Sequence, residues 1–181
     1  LIGSAERGNG VTRILKALRH ETAGIADTRK RLGVADSGPA LAHAVSTIHT
    51  AHGGKLTLSR VLRGSFNENA KVVGARGAEE RIGSIGRMVG TSSLKLPSVE
   101  EGDTMAFGRL DHIATGETFG DAKGGKPKPA VATVETPHPV HALALTIKDR
   151  KDEVKLAAAM QKLTEEDPSL VFHQDQTSGE M

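Results

Sequence analysis

The chain contains no cysteine, no tryptophan and no tyrosine. The first absence excludes disulfide bonds and thiolate metal ligation, and it fits a reducing, cytoplasmic setting. Aromatic residues make up 2% of 181 residues, all of them phenylalanine. That is too few for a platform on which successive single-stranded bases stack. Any contact with nucleic acid therefore runs through Lys and Arg to phosphates, or through shape. No apolar run approaches the ~20 residues that cross a bilayer, and no signal or transit segment is recognisable. The net charge is only +2 at pH 7, a mild basicity that an ordinary solvated surface accounts for.

What is present divides the chain into unlike parts. After a Gly-rich loop, Val11, Ile14, Leu15 and Leu18 recur at the spacing of one apolar helix face. Gly24 marks a stop, and Arg29, Lys30 and Arg31 form a basic run that reads as a solvated helix face or linker. From Pro39 to Asp121 the pattern turns to short strands: Leu41–His49, Lys55–Leu62, Ala70–Val73, Arg81–Met88 and Thr104–Leu110. Leu56, Leu58 and Leu62 share one face at period two, with Thr57 and Ser59 on the other. Glycines at Gly53, Gly54, Gly64, Gly74 and Gly77 punctuate these runs. A region of this length cannot cover two open faces and protect two edges, so a closed barrel is expected.

Ala122 to Pro139 holds four of the seven prolines and a Gly pair, the composition of a stiffened linker. Beyond it, Pro139–Ile147 reads as a buried strand, Asp149–Asp167 as an amphipathic helix and Ser169–Gln174 as a second strand. Leu156, Ala159, Met160 and Leu163 share that helix's face, Asp149 and Asp152 form a box-like cap, and Pro168 forces the exit. Glu165, Glu166 and Asp167 crowd the helix C-terminus, where the dipole disfavours anions, and read as a solvated end. This strand–helix–strand run is half of a small α/β sandwich. Leu1 and Ile2 read as a strand tail, and Met181 falls where another strand would start. The chain thus reads as a piece of a larger protein, with residues 139–181 expected to be partly disordered or paired with a neighbouring chain.

No motif carries bond chemistry. His49–Leu56 (HTAHGGKL) lacks the first Gly and the final hydroxyl of a phosphate loop, and it reads as a turn into a strand. Gly8-Asn9-Gly10 is too short for a dinucleotide fingerprint. His49/His52 and His138/His141 have H-x-x-H spacing, but in turn or strand context that does not bring two imidazoles to one face. No nucleophile elbow G-x-S-x-G is present.

The order of these segments resembles the middle of elongation factor G and its relatives among the translational GTPases. Lys162–Leu170 (KLTEEDPSL) followed by Asp175–Glu180 (DQTSGE) resembles K-L-x-E-E-D-P and D-x-x-T-G-E of that family's third domain. Ser178 between Thr177 and Gly179 is an extra turn residue. Gly54–Gly64 (GKLTLSRVLRG) resembles the second-domain hairpin G-K-L-x-x-x-R-V-x-x-G, and Glu80–Met88 (ERIGSIGRM) its strand E-R-I-x-x-x-x-R-M. Glu101–Phe119 resembles the stretch ending T-G-D-T-L, with Glu117 in place of the usual Asp. Gly10–Ala23 and Lys148–Glu153 are more similar to the elongation-factor-G-like subgroup than to the housekeeping factor.

The resemblance implies three pieces. Residues 1–38 correspond to the tail of a GTPase domain and its linker, 39–125 to a translation-factor Greek-key β-barrel, and 126–181 to a linker and the first half of a ferredoxin-like domain. Gly3, Ser4 and Ala5 fall on the loop that contacts the guanine base of GTP, where small residues let backbone amides come close. The phosphate loop and the Mg-binding residues would lie outside this chain, so it should not hydrolyse GTP alone. The implied partners are the ribosome, its RNA and the protein's own GTPase and downstream domains, with no membrane and no DNA. Lys55, Arg60 and Arg63 are candidate contacts to RNA phosphates. A ribosomal-protection or release-factor-type GTPase of the same family, or a non-enzymatic barrel adaptor, are the alternatives.

Overall fold

Alternating side chains and closely spaced turns build an antiparallel β unit in the centre of the chain. The computed structural model describes residues 3–50, 54–132, 135–145 and 150–173. Two helices come first, α1 (Val11–Glu21) and α2 (Ile25–Leu32), with Gly24 as the N-cap of α2. Ten strands follow: β1 (Leu41–Thr50), β2 (Gly54–Arg63), β3 (Ser65–Asn67), β4 (Lys71–Gly74), β5 (Glu79–Arg81), β6 (Ser84–Val89), β7 (Ser92–Leu96), β8 (Ser98–Glu100), β9 (Thr104–Gly108) and β10 (Thr118–Asp121). A 3-10 turn at Arg150–Asp152 leads into α3 (Glu153–Glu166).

Eight strands form one sheet in the order β5-β4-β10-β1-β2-β9-β6-β7, and β3 pairs with β8 in a ladder of their own. Every pairing is antiparallel. Phe66, Phe107 and Phe119 meet at the centre with ring centroids 5.6–5.9 Å apart. Phe107 contacts each of the other two edge-on, the arrangement their quadrupoles favour. Val61, Val72, Ile82, Ile85, Val99 and Met105 pack in the same cluster. Each large side chain so buried contributes about 1.5–3 kcal/mol. Phe66 and Val99 come from the β3–β8 ladder, so that small ladder is bound to the main sheet by the core.

The closed barrel expected from the sequence is not formed by hydrogen-bonded ladders among the described residues: β5 and β7 are the edges. The run Arg81–Met88, expected as one strand, breaks at Ile82 and Gly83. Their amides leave the ladder, Ile82 donating to the Ala70 carbonyl at 3.0 Å and Gly83 to that of Gly108 at 2.9 Å. Four short strands, β3, β7, β8 and β10, lay outside the expected set; they are three to five residues long and carry little alternation.

On β2 the alternation is present, but the interior belongs to the other face. Thr57, Ser59 and Val61 are fully buried, while Leu56 and Leu58 are only half-buried. Thr57 and Ser59 stand directly beside the buried Phe107 and Met105 of β9, so small side chains alternate with bulky ones across that face. Leu62 is buried all the same, on the strand against which α2 packs.

The C-terminal expectation is corrected in part. The helix forms, but Pro139–Leu145 is irregular and exposed, with Val140 99% accessible. Ser169–His173 is likewise not a strand. Neither segment has a ladder partner among the described residues, and a lone strand leaves its backbone groups unpaired. Asp152 is the N-cap of α3 without a side-chain cap bond, its carboxylate instead meeting Lys155 at 2.9 Å. Ile147, Asp149 and Asp175–Glu180, on which other expectations fall, lie outside the described residues.

Candidate functional site

The first candidate is the turn before α1. Ser4 and Asn9 form an isolated antiparallel bridge, with the Ser4 amide donating to the Asn9 carbonyl at 3.0 Å. A Cβ on Gly3 would stand 2.6 Å from that carbonyl, so only glycine closes this turn. Gly10, at φ 79°, then starts the helix. The turn Gly3–Ala5 is small and tightly folded; the Ser4 amide is engaged, and the Ala5 amide has no hydrogen bond among the described residues. The helix that follows leaves Val11, Ile14, Leu15 and Leu18 exposed.

The candidate phosphate contacts have different fates. Lys55 is 7% exposed along its side chain; its Nζ donates to the Asp111 carbonyl at 2.8 Å and lies 3.4 Å from Glu165. Arg63 holds the linker between α2 and β1, its guanidinium donating to the carbonyls of Pro39, Ala35 and Ser37 at 2.8–3.1 Å. Arg60 makes one bond, to the Thr104 hydroxyl at 3.3 Å. Two of the three therefore work inside the fold, and Arg60 keeps most of its donors.

Both flanking helices are tied to the sheet by ions. On one side Arg29 of α2, nearly buried, bonds to Asp36 at 3.1 Å and to Glu101, in the β8–β9 turn, at 2.7 Å. On the other, α3 docks on the β1–β2 hairpin through its acidic end. Glu165 Oε2 lies 3.0 Å from His49 Nε2, and Glu166 accepts from the His49 amide. Arg29 of the basic run and Glu165 and Glu166 of the acidic run, expected to be solvated, thus bond across the fold. Charge runs have no local signature of what they meet across the fold, so neither partner was readable there. A cleft of about 670 Å³ lies between α3 and the sheet loops, with Lys55, Arg76, His112 and Glu165 on its walls.

The Glu117 substitution noted in the sequence proves structural. Its carboxylate accepts from the amides of Arg76 and Ala114 at 3.0 and 3.1 Å, and from Arg76 Nε at 3.0 Å. Burial pushes the Glu117 pKa up, but the bonds from Arg76 and Ala114 outweigh it and hold the carboxyl below its usual 4.5. His43 is shifted down by burial, and its Nδ1 lies 3.2 Å from the Thr118 hydroxyl. His49 is engaged with Glu165 rather than with a second histidine; His138 and His141 lie in irregular chain, and His52 is outside the described residues. No group of three metal-binding side chains comes together among the described residues. The arrangement is one of docked segments rather than of aligned nucleophile, base and acid.

Comparison with known proteins fits that arrangement. Residues 136–181 match the family model for elongation factor G, domain III. The whole chain aligns with an elongation factor G-like protein of Synechocystis at 34% identity, covering 26% of that protein. Residues 136–181 belong to the elongation factor G domain III family, and the whole chain resembles an elongation factor G-like protein. It also resembles a crystal structure of a Thermus thermophilus protein, with TM-score 0.76 and 27% identity over 97% of this chain and 25% of the other. The chain thus spans about a quarter of the length of the elongation factor G-like relative it matches. No helix among the described residues is long and apolar enough to cross a membrane.

Proposed function

We propose that this chain is the central part of a ribosome-binding GTPase that couples GTP hydrolysis to a step of translation such as translocation. The alignment over the full chain with an elongation factor G-like protein carries this reading. In it, residues 1–38 end the GTPase domain, 39–125 form the translation-factor barrel, and 126–181 begin the third domain. Curling of the main sheet into that barrel is supported by the chain itself: β5 and β6, far apart in strand order, are separated in sequence only by Ile82 and Gly83.

GTP binds in this reading with its guanine near Gly3, Ser4 and Ala5. The turn suits that task because it carries no bulky side chain and keeps the Ala5 amide free. Mg²⁺ and the phosphates would be held by residues beyond this chain, and those residues supply the hydrolysis. What this chain does is mechanical. With α2 tied to the sheet by Arg29 and α3 by Glu165 and Glu166, the sheet links the GTPase side to the third-domain side. A shift at one junction biases the other, a rigid-body coupling between two arrangements. Contacts with ribosomal RNA and action in the cytoplasm belong to the same reading.

Cosedimentation of the full-length gene product with 70S ribosomes tests it. We expect pelleting with a non-hydrolysable GTP analogue and release with GDP. No pelleting under either nucleotide would sink the ribosomal reading and leave a barrel that binds a protein partner.

A further inference from the structure

Asn9 is followed by Gly10, the one asparagine–glycine pair in the chain. The Asn9 side chain is exposed and makes no hydrogen bond among the described residues. Gly10 is the N-cap of α1, at φ 79° and ψ −10°, a left-handed conformation that favours glycine. With no Cβ beside it, its nitrogen is open to the neighbouring side chain. A carboxylate in the first helical turn can take an N-cap amide, but the first turn of α1 has no acidic residue. Among the described residues the Gly10 amide has no hydrogen bond. The positive end of the helix dipole lies beside that nitrogen and favours the anion it becomes on losing its proton.

The other two asparagines, Asn67 and Asn69, are exposed as well. Each, however, is followed by an engaged amide: Glu68 donates to the Pro97 carbonyl and Ala70 to the Asn67 carbonyl, both at 3.2 Å. Position 9 thus differs from them in its neighbouring nitrogen and not in its exposure. What Asn9 holds makes the difference matter. Its carbonyl accepts from the Ser4 amide at 3.0 Å, and a Cβ on Gly3 would stand 2.6 Å from the same oxygen. The Asn9 peptide is therefore the wall against which the turn Gly3–Ala5 folds.

We propose that Asn9–Gly10 is a site of spontaneous succinimide formation, and that the isoaspartate it yields opens the turn Gly3–Ala5. The Gly10 nitrogen bonds to Asn9 Cγ and the Cγ–Nδ2 bond breaks. The side-chain nitrogen leaves as ammonia, taking up the proton that Gly10 gives away. Water then opens the ring at one carbonyl or the other. One product is aspartate, with the backbone unchanged. The other is isoaspartate, in which the chain reaches Gly10 through the former side chain and is one methylene longer. The oxygen that accepted from Ser4 then belongs to a free carboxylate, no longer fixed by the peptide to Gly10. A new charge and a loosened wall stand beside the turn assigned above to the guanine. That consequence for GTP rests on the proposed function; the chemistry at Asn9 does not.

The test is a time course of the full-length gene product, free of nucleotide, in warm and mildly alkaline buffer. Trypsin releases Gly8–Arg13, and chromatography with mass spectrometry separates its asparagine, aspartate and isoaspartate forms. We expect conversion at position 9 to run at least about fivefold faster than at Asn67 and Asn69, the factor a hydrogen bond on their neighbouring amides is worth. Hydrogen exchange of the Ser4 amide should quicken as isoaspartate accumulates. In N9Q, where the ring would be larger, both readouts should keep their starting values; the wild-type time course decides by itself if that variant does not fold. Conversion at position 9 no faster than at the other two overturns the proposal, and so does isoaspartate that leaves Ser4 exchange unchanged. GDP affinity, followed in the same samples, should fall with the isoaspartate fraction. Isoaspartate that quickens Ser4 exchange but leaves GDP affinity untouched would sink the guanine role of Gly3–Ala5 and leave the modification site standing.

Discussion

Arg76 and Glu117 meet across two turns: the Glu117 carboxylate takes both the Arg76 amide and its guanidinium, with Nη2 at 2.8 Å. The carboxylate side chain is 6% exposed while the arginine is 65% exposed. Most of the holding is therefore done by fixed amides and not by the mobile ion pair. Glu117→Gln removes the charge those donors address and should cost about 2 kcal/mol at pH 7. Because the folded-state pKa is below the usual 4.5, this stability is present above that value and is lost as pH falls through the folded pKa. Urea unfolding from pH 7 to pH 3 should show a steeper acid loss in wild type than in the variant. Parallel pH profiles would refute the assignment.

Gly74 is small because Glu117 needs the room. A Cβ there would stand 2.5 Å from Glu117 Oε1 and 2.7 Å from Ile113 Cδ1. We expect Gly74→Ala to destabilise by about 1–3 kcal/mol, the usual cost of overpacking. In a G74A/E117Q double variant the two losses should add to less than their sum, since they disturb one contact. Additive losses by denaturant titration would show that the glycine answers only to Ile113.

Thr57 buries a hydroxyl that has no hydrogen-bond partner among the described residues. Thr57→Val replaces it with a methyl of similar shape and should stabilise the fold by about 1 kcal/mol. A lower melting temperature for T57V would mean that the hydroxyl has an acceptor in solution.

The junction of α3 with the hairpin is ionic, and it should behave so. Lys55→Ala and Glu165→Ala in a double-mutant cycle should show a coupling of about 1 kcal/mol, since Lys55 is sheltered and Glu165 partly so. Amide exchange of α3 should quicken in E165A and in high salt, while that of β9 stays slow. Equal protection of α3 in both proteins would rule out this ionic junction.

The chain was partly legible before it was folded. Leu41–His49, Lys55–Leu62 and Thr104–Leu110 were readable as strands because side-chain alternation and glycine turns are local properties. Val11–Leu18 and Leu156–Leu163 were readable as helix faces for the same reason. The short strands were not, since three residues such as Ser65–Asn67 carry no period. Pro139–Leu145 had a strand's composition but found no ladder among the described residues, and composition cannot supply one.

By itself the sequence determined what the chain lacks and where its regular segments run: no thiol, almost no aromatic surface, a central β region between helical flanks. Those follow from residue identity and spacing alone. Only the tertiary structure decided that Thr57 and Ser59 face the core, that Lys55 and Arg63 are engaged inside the fold, and that Lys71 and Arg81 stand opposite one another on adjacent strands. Burial and charge pairing depend on what lies across a gap of a few ångströms, and that neighbour is often dozens of residues away along the chain.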